Sequence, residues 1–228
     1  MKETKRVILL ILFAIIVATG AAISLKAAIG VGAWDAVSQT ISFMTGIKVG
    51  TCVIILNILC LLGQVLMLKK KFRPIQWLQV PLNLLIGFIV NLILYNMLGD
   101  LVIDSYIVRI GLLILSYCLC AFGVAAVMVL DLVTFSLEGV CAAISEKIGF
   151  EFSKLRQAVD VICVALVFLL AWIFKVELAV REGTIIGMLI FGPLLGIFMK
   201  IIEPVLKKYN LLKEVKIFEK VEACSEVI

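Results

Sequence analysis

Six long apolar stretches alternate with short polar segments along this chain. About 20 helical residues cross a ~30 Å hydrocarbon core. On that measure the spans run Val7 to Leu25, Val49 to Leu68, Trp77 to Leu98, Ile107 to Leu130, Leu155 to Phe174 and Gly183 to Ile202. Two linkers are longer than the rest and carry a helical period. From Ala33 to about Thr45, Trp34, Val37, Ile41 and Met44 fall on one side, and Asp35, Ser38, Gln39 and Ser42 on the other. In the second linker Leu137, Val140, Ile144 and Ile148 make the apolar stripe, with Ser136 a candidate N-cap and Glu138 in the first turn. Gly46 and Gly149 are the helix stops, Gly30 and Gly32 permit the sharp backbone that leads into the first helix, and Gly139 is a further hinge candidate. The last span carries Gly183, Gly187, Gly192, Pro193 and Gly196, so a broken helix or close packing on a neighbour is expected there.

The second half of the pattern is a degenerate copy of the first at a spacing of 103 residues. Gly20 falls on Gly123, Asp35 on Glu138, Val37 on Val140, Ile41-Ser42 on Ile144-Ser145, Gly46 on Gly149 and Asn57 on Asp160. Each copy (about 7–98 and 107–202) reads span, linker with a short helix, span, tight turn, span, and a tail follows over 203–228. An odd number of spans per copy requires the two to sit upside down relative to each other, as in many secondary transporters. The expected fold is all-α: a single polytopic membrane helix bundle of six transmembrane helices, formed as two inverted three-span repeats. A short amphipathic or re-entrant helix lies between spans 1 and 2 and between spans 4 and 5. An interfacial helix and a re-entrant half-helix both fit these linkers.

Composition agrees. The chain is 64% hydrophobic and 16% charged, with a mean hydropathy of +1.21, which excludes an ordinary soluble domain. The net charge of +5 is distributed as an orientation signal rather than as a nucleic-acid footprint. With the N-terminus inside, only Lys26, Lys48, Arg109, Lys175 and Arg181 of the 21 lysines and arginines face outward. Both termini are therefore expected in the cytoplasm. Lys2, Lys5 and Arg6 resemble a signal-peptide n-region, but the following apolar run is long and the repeat needs it, so the first span is expected to be retained. In the tail, Leu211, Leu212, Val215 and Phe218 form one stripe with Lys213, Lys216 and Lys220 off it, which suits a basic helix on anionic lipid.

Candidate chemistry is sparse. There is no histidine, so proton chemistry must run on carboxylates, Tyr, Cys or Lys. Asp160 lies less than two turns into the fifth span, and Arg156 four residues earlier is its natural partner. Asn57 is its repeat counterpart. Asn83, Asn91 and Gln79 add polar groups to the same bundle. Trp34, Asp35, Asn57, Asn83, Glu138, Arg156 and Asp160 are thus the candidate solute or proton site. Cys52, Cys60, Cys118, Cys120, Cys141 and Cys163 show no metal-type spacing and read as small apolar residues, and Cys224 has no lipidation context. No phosphate-binding loop, zinc signature or nucleophile–histidine pair is present, so neither an enzyme nor a cofactor or metal is expected.

The residues resemble the YczE/YitT group of uncharacterised bacterial integral membrane proteins over nearly the whole chain. The resemblance rests on Gly30-Val31-Gly32-Ala33-Trp34-Asp35, Thr45-Gly46, Gly50-Thr51 and Pro81-Leu82-Asn83 through Gly87. In the second half it rests on Ser136-Leu137-Glu138-Gly139, Lys154 to Arg156 with Asp160, and Gly183-Thr184 through Gly192-Pro193. The chain departs from that pattern at Thr134, Phe135 and Ser136, and at Asn91, where many relatives carry an acidic residue. The resemblance implies six spans in a bacterial plasma membrane and no particular substrate.

Three functions fit. The first is a small secondary transporter whose halves rock about a site lined by Asp35, Asn57, Glu138 and Asp160. The second is a substrate-capture subunit similar to the six-span S-components of energy-coupling-factor importers, docked through Ala14-x-x-x-Ala18-x-x-Ala21. The third is a non-transporting accessory protein. The expected partners are membrane lipids, a small-molecule solute, and a partner protein or a second copy of the chain, with no nucleic acid.

Overall fold

A computed structural model describes residues 2–209 and residue 211. Those residues form α1 (Lys2–Ala27), α2 (Ala33–Thr45), α3 (Val49–Leu68), α4 (Gln79–Asn91), α5 (Tyr106–Leu130), α6 (Ser136–Ile148), α7 (Phe152–Phe174) and α8 (Glu182–Lys208). A 3-10 turn over Pro74–Leu78 leads into α4 and a π-helical turn over Leu92–Met97 continues it. Six segments are long and apolar enough to cross a membrane: Glu3–Ala27, Val49–Leu68, Pro74–Met97, Tyr106–Leu130, Lys154–Phe174 and Glu182–Lys208. The protein is a polytopic helix bundle, with α2 and α6 as the two short helices between spans 1 and 2 and between spans 4 and 5.

The centre of the bundle is the antiparallel pair α1 and α5, whose crossing is set by small residues. Ala14, Ala18, Ala22, Ala121, Ala125 and Ala126 are all fully buried. A Cβ on Gly20 would land 2.6 Å from Cys120 Sγ, and one on Gly123 2.5 Å from Val17 Cγ2, so only glycine permits the approach. Arg6 is fully buried at one end, where it donates to the Leu130 carbonyl at 2.7 Å and pairs with Glu3. At the other end Lys26 donates to the Gly99 carbonyl. We call these the Arg6 end and the Lys26 end.

The remaining helices surround this pair. α4 packs on α1 and α8 on α5, while α2 packs on α3 and α7, and α6 on α7 and α3. α3 and α4 also pack closely, through Gly50 against Gly87. The first backbone N–H groups of α3 are capped across this contact: Val49 donates to Tyr95 Oη at 3.2 Å and Gly50 to Asn91 Oδ1 at 2.9 Å. α7 and α8 scarcely touch, and their apolar windows are only 17% buried, against 56% for α5.

One expectation is corrected and another narrowed. Of the two readings of the last span, the broken helix falls, since α8 runs unbroken through Pro193 and Pro204 over 27 residues, while close packing holds at part of it. Its glycines divide: Gly183 and Gly187 meet Ile29 and Tyr117 closely, while Gly192 and Gly196 meet nothing within 4 Å. Ser136 is not the N-cap of α6, which is Phe135. Of the two readings kept for α2, burial favours the inward one: Ser38 on its polar side is fully buried and Ser42 nearly so, as is Thr40, while Phe43 is exposed. The tail residues Leu212, Lys213, Val215, Lys216, Phe218, Lys220 and Cys224 lie outside the described residues, whereas Leu211 packs on the core.

Candidate functional site

α2 begins deep in the bundle. After α1 the chain bends at Gly30 (φ 119), where Gly183 donates to the Ile29 carbonyl at 2.8 Å and Val31 to Thr184 Oγ1 at 3.2 Å. A Cβ on Gly30 would sit 2.5 Å from the Thr184 nitrogen, so this strap is closed to any larger residue. The strap delivers Trp34 to Asn57, and the indole Nε1 donates to Asn57 Oδ1 at 3.2 Å. Asn57 is eight residues beyond the first residue of α3, about 12 Å along its axis. From there α2 runs back toward the Lys26 end and turns at Gly46 (φ 71), whose N–H donates to the Ser42 carbonyl.

α6 does the same from the Arg6 end. It closes at Gly149 (φ 68), whose N–H donates to Ser145, and α7 follows. The start of α6 is held by a buried amide network. Gln64 donates to Gln79 Oε1 and to the Ser136 carbonyl, Gln79 returns a bond to Gln64 Oε1, Ser136 Oγ donates to Gln79 Oε1, and Asn83 donates to Ser136 Oγ. Gly139 presses on the Gln64 amide so closely that a Cβ would lie 2.5 Å from Oε1. Asn83 therefore belongs to this fastening and not to the charged group. Gln64 is its centre, and nothing in the periodicity marked it: an amide near the end of an apolar span has no patterned partner in sequence.

The charged group lies where the two short helices begin. Asp35 and Glu138 are each the third residue of their helix, and neither helix has a side-chain N-cap. Glu138 Oε1 is 3.5 Å from Arg156 Nε, and Arg156 also pairs with Asp160. The side chains of Arg156, Asp160 and Glu138 stay 23%, 23% and 18% accessible, so the group is not sealed. Asp160 is eight residues beyond the first residue of α7, matching the place of Asn57 on α3. Gly32 leaves room beside the Asp35 carboxylate, 3.4 Å from where a Cβ would sit.

Asp35 is half-buried at the start of α2, on the helix that packs on α7. Burial pushes its carboxyl up to about 6, Arg156 draws it back down, and Glu138 adds to the rise. Its oxygens accept no hydrogen bond among the described residues. Burial likewise pushes the neighbouring Cys141 thiol up to about 11, which keeps it protonated and unreactive. The structure thus brings Trp34 and Asn57 into one pair, and Asp35, Glu138, Arg156 and Asp160 into one charged group beside it.

A shallow groove at the Lys26 end, lined by Ile29, Tyr106, Arg109, Val180, Arg181 and Glu182, is separate from this group. Both of its arginines are already engaged, Arg109 with the Ile103 carbonyl and Arg181 with the Ala28 carbonyl and Glu177.

Residues 4–200 match a family described as a family of unknown function, DUF6198. No curated protein and no solved structure matches the chain.

Proposed function

The chain belongs to the family of unknown function DUF6198, and from that premise we propose that it is a small secondary transporter whose solute site is the space bordered by Asp35, Asn57, Glu138, Arg156 and Asp160. The observation that carries the reading is the charged group itself: carboxylates from both short helices meet around one arginine inside an apolar bundle. Ionisable groups in such a place cost several kcal/mol of solvation and are kept for a task.

The inverted repeat supports the same reading. Residues 103 apart hold like places: Gly20 and Gly123 face each other's helices, and Gly46 and Gly149 end the short helices with left-handed turns. The packing of α2 on α7 mirrors that of α6 on α3. We take α2 and α6 as re-entrant half-helices whose N-terminal ends converge, with unpaired N–H groups and positive dipole ends toward the carboxylates. An interfacial helix would turn its polar side to water, and α2 buries that side. Lysine and arginine placement supports a cytoplasmic location of both termini, and the YczE/YitT resemblance supports a bacterial plasma membrane. The Gly30-to-Asp35 loop supports kinship with the YczE/YitT group. No catalytic role is assigned to the chain. The capture-subunit reading loses its docking face, because Ala14, Ala18 and Ala21 are buried within the bundle.

Native mass spectrometry of the protein, carried from its own membrane into lipid nanodiscs, tests the proposal. A retained small molecule that is lost in Asp160→Asn is the expected result. A bare protein, or one bound only to a stoichiometric protein partner, overturns it in favour of an accessory role.

A further inference from the structure

We propose that the groove between the ends of α3 and α6, at the Arg6 end of the bundle, binds the headgroup of an anionic phospholipid. The groove encloses about 410 Å3. Met67, Leu68 and Ala143 form its apolar part, and Lys69, Lys71, Glu146 and Lys147 its polar part. The sequence builds it from two helix ends. α3 stops at Leu68, and Lys69 takes a left-handed φ of 46 that bends the chain into a 3-10 turn over Lys69–Lys71. α6 packs on α3, and its last turn brings Glu146 within 2.8 Å of Lys71.

Charge selects the occupant. Three lysines against one glutamate leave the groove with a net positive charge. Lys71 pairs with Glu146, while Lys69 and Lys147 pair with no carboxylate among the described residues. The Lys71–Glu146 pair is itself open to solvent, its side chains 76% and 56% accessible, so it is worth little and a phosphate can take the place of Glu146 on Lys71.

Depth selects what the phosphate is attached to. The groove lies where an apolar span ends, which is the level of lipid headgroups. Trp77, exposed at the start of the next span, packs edge-on against Phe72 with ring centres 5.7 Å apart, and aromatic side chains mark that same level. Beyond the groove Leu66, Leu62, Leu59 and Ile55 form one exposed stripe along α3 at helical spacing, a path for an acyl chain. Basic side chains between helices at a membrane surface recognise anionic lipid in this way. Glu146 stands on α6, whose first turn carries Glu138, so an arriving phosphate exchanges a contact between α6 and α3 for one between α6 and the membrane. None of this depends on the transport reading.

Native mass spectrometry of the full chain in detergent, titrated with phosphatidylglycerol or with phosphatidylcholine of the same acyl chains, tests the site. The first phosphatidylglycerol is expected to bind about tenfold tighter or more, and each of Lys69→Gln, Lys71→Gln and Lys147→Gln to weaken it about fivefold. Glu146→Gln should tighten it, because Lys71 is then free. Lys207→Gln and Glu203→Gln, on α8 at the same end, should leave it unchanged. All these side chains lie at the ends of helices, outside the core cluster, and melting of each variant beside the wild type confirms its fold. Equal binding of the two lipids overturns the proposal. So does a loss in Lys207→Gln as large as that in Lys71→Gln, which would mean general surface charge. Displacement of the lipid by an equal concentration of inorganic phosphate overturns it in favour of a free-phosphate site.

Discussion

A carboxylate whose folded-state pKa is raised weakens the fold when it ionises. Asp35 at about 6, against an ordinary value near 3.8, contributes no penalty below about pH 4 and its full penalty above about pH 6. Asp35→Asn removes that term. The variant's Tm in nanodiscs is therefore expected to exceed that of the wild type more at pH 8 than at pH 4.5, and a gap that does not change with pH contradicts the burial argument. Two other positions separate backbone from space. Gly30→Ala meets both a left-handed φ and the Thr184 nitrogen, and should cost about 3 kcal/mol or more. Gly192→Ala, in open space on a helix, should be neutral or stabilising by up to about 1 kcal/mol. Thermal denaturation of the two variants beside the wild type checks the pair. The Arg156–Asp160 pair was legible in sequence because it lies on one helix at a four-residue spacing. Glu138 was expected in the same site, but its ion pair with Arg156 was not legible, since a contact across the turn at Gly149 has no fixed spacing in sequence. Ser136 misled because its hydroxyl suits an N-cap, yet that hydroxyl serves Gln79 and Asn83 on another helix.

At the scale of elements, apolar runs located the six spans within a few residues, because in lipid the helix must satisfy its own backbone and length is set by thickness. The short helices were found, and their apolar stripes do pack inward at Val37 and Leu137, but the polar side of α2 packs inward too. An apolar stripe marks the buried side in water. Inside a membrane protein small polar residues pack inward, as Ser38 and Thr40 do. The same logic explains Asn91. Its oxygen accepts the Gly50 N–H and its nitrogen donates to Thr51 Oγ1, so it closes the start of α3 from the third span. Asn91→Asp keeps the acceptor and lets Thr51 donate instead, whereas Asn91→Leu leaves the Gly50 N–H bare. The expected loss is about 1–3 kcal/mol for leucine and little for aspartate, read from detergent-resistant melting. Gln64→Leu should cost a similar amount, by stranding Gln79 and the Ser136 carbonyl together.

For the whole molecule, the inverted reading makes a topological claim that labelling decides. In a background without accessible thiols, single cysteines at Thr45 and Lys147, next to the two turns, should react with a membrane-impermeant reagent from opposite faces. Reaction of both from one face contradicts the inversion. The 103-residue spacing suggests two like halves, but it does not carry their inequality. The residues that join α3 to α4, namely Gly50, Gly87, Asn91 and Tyr95, correspond at the same spacing to Ser153, Ile190, Leu194 and Phe198. Those four offer neither the close crossing nor the cross-helix cap, and α7 is left with little hold on α8.

That weak joint has a mechanical meaning. Under a force applied at the C-terminus in a bilayer, each span leaves when its own contacts yield. α8 is anchored along α5, but once it is extracted α7 is held only by the short helices α2 and α6 and should follow at low force. α4 and α3, stapled to each other, should come out later as one rupture. The helix bearing Arg156 and Asp160 thus has no full-length span gripping it, and its position is only as firm as the two short helices beside it.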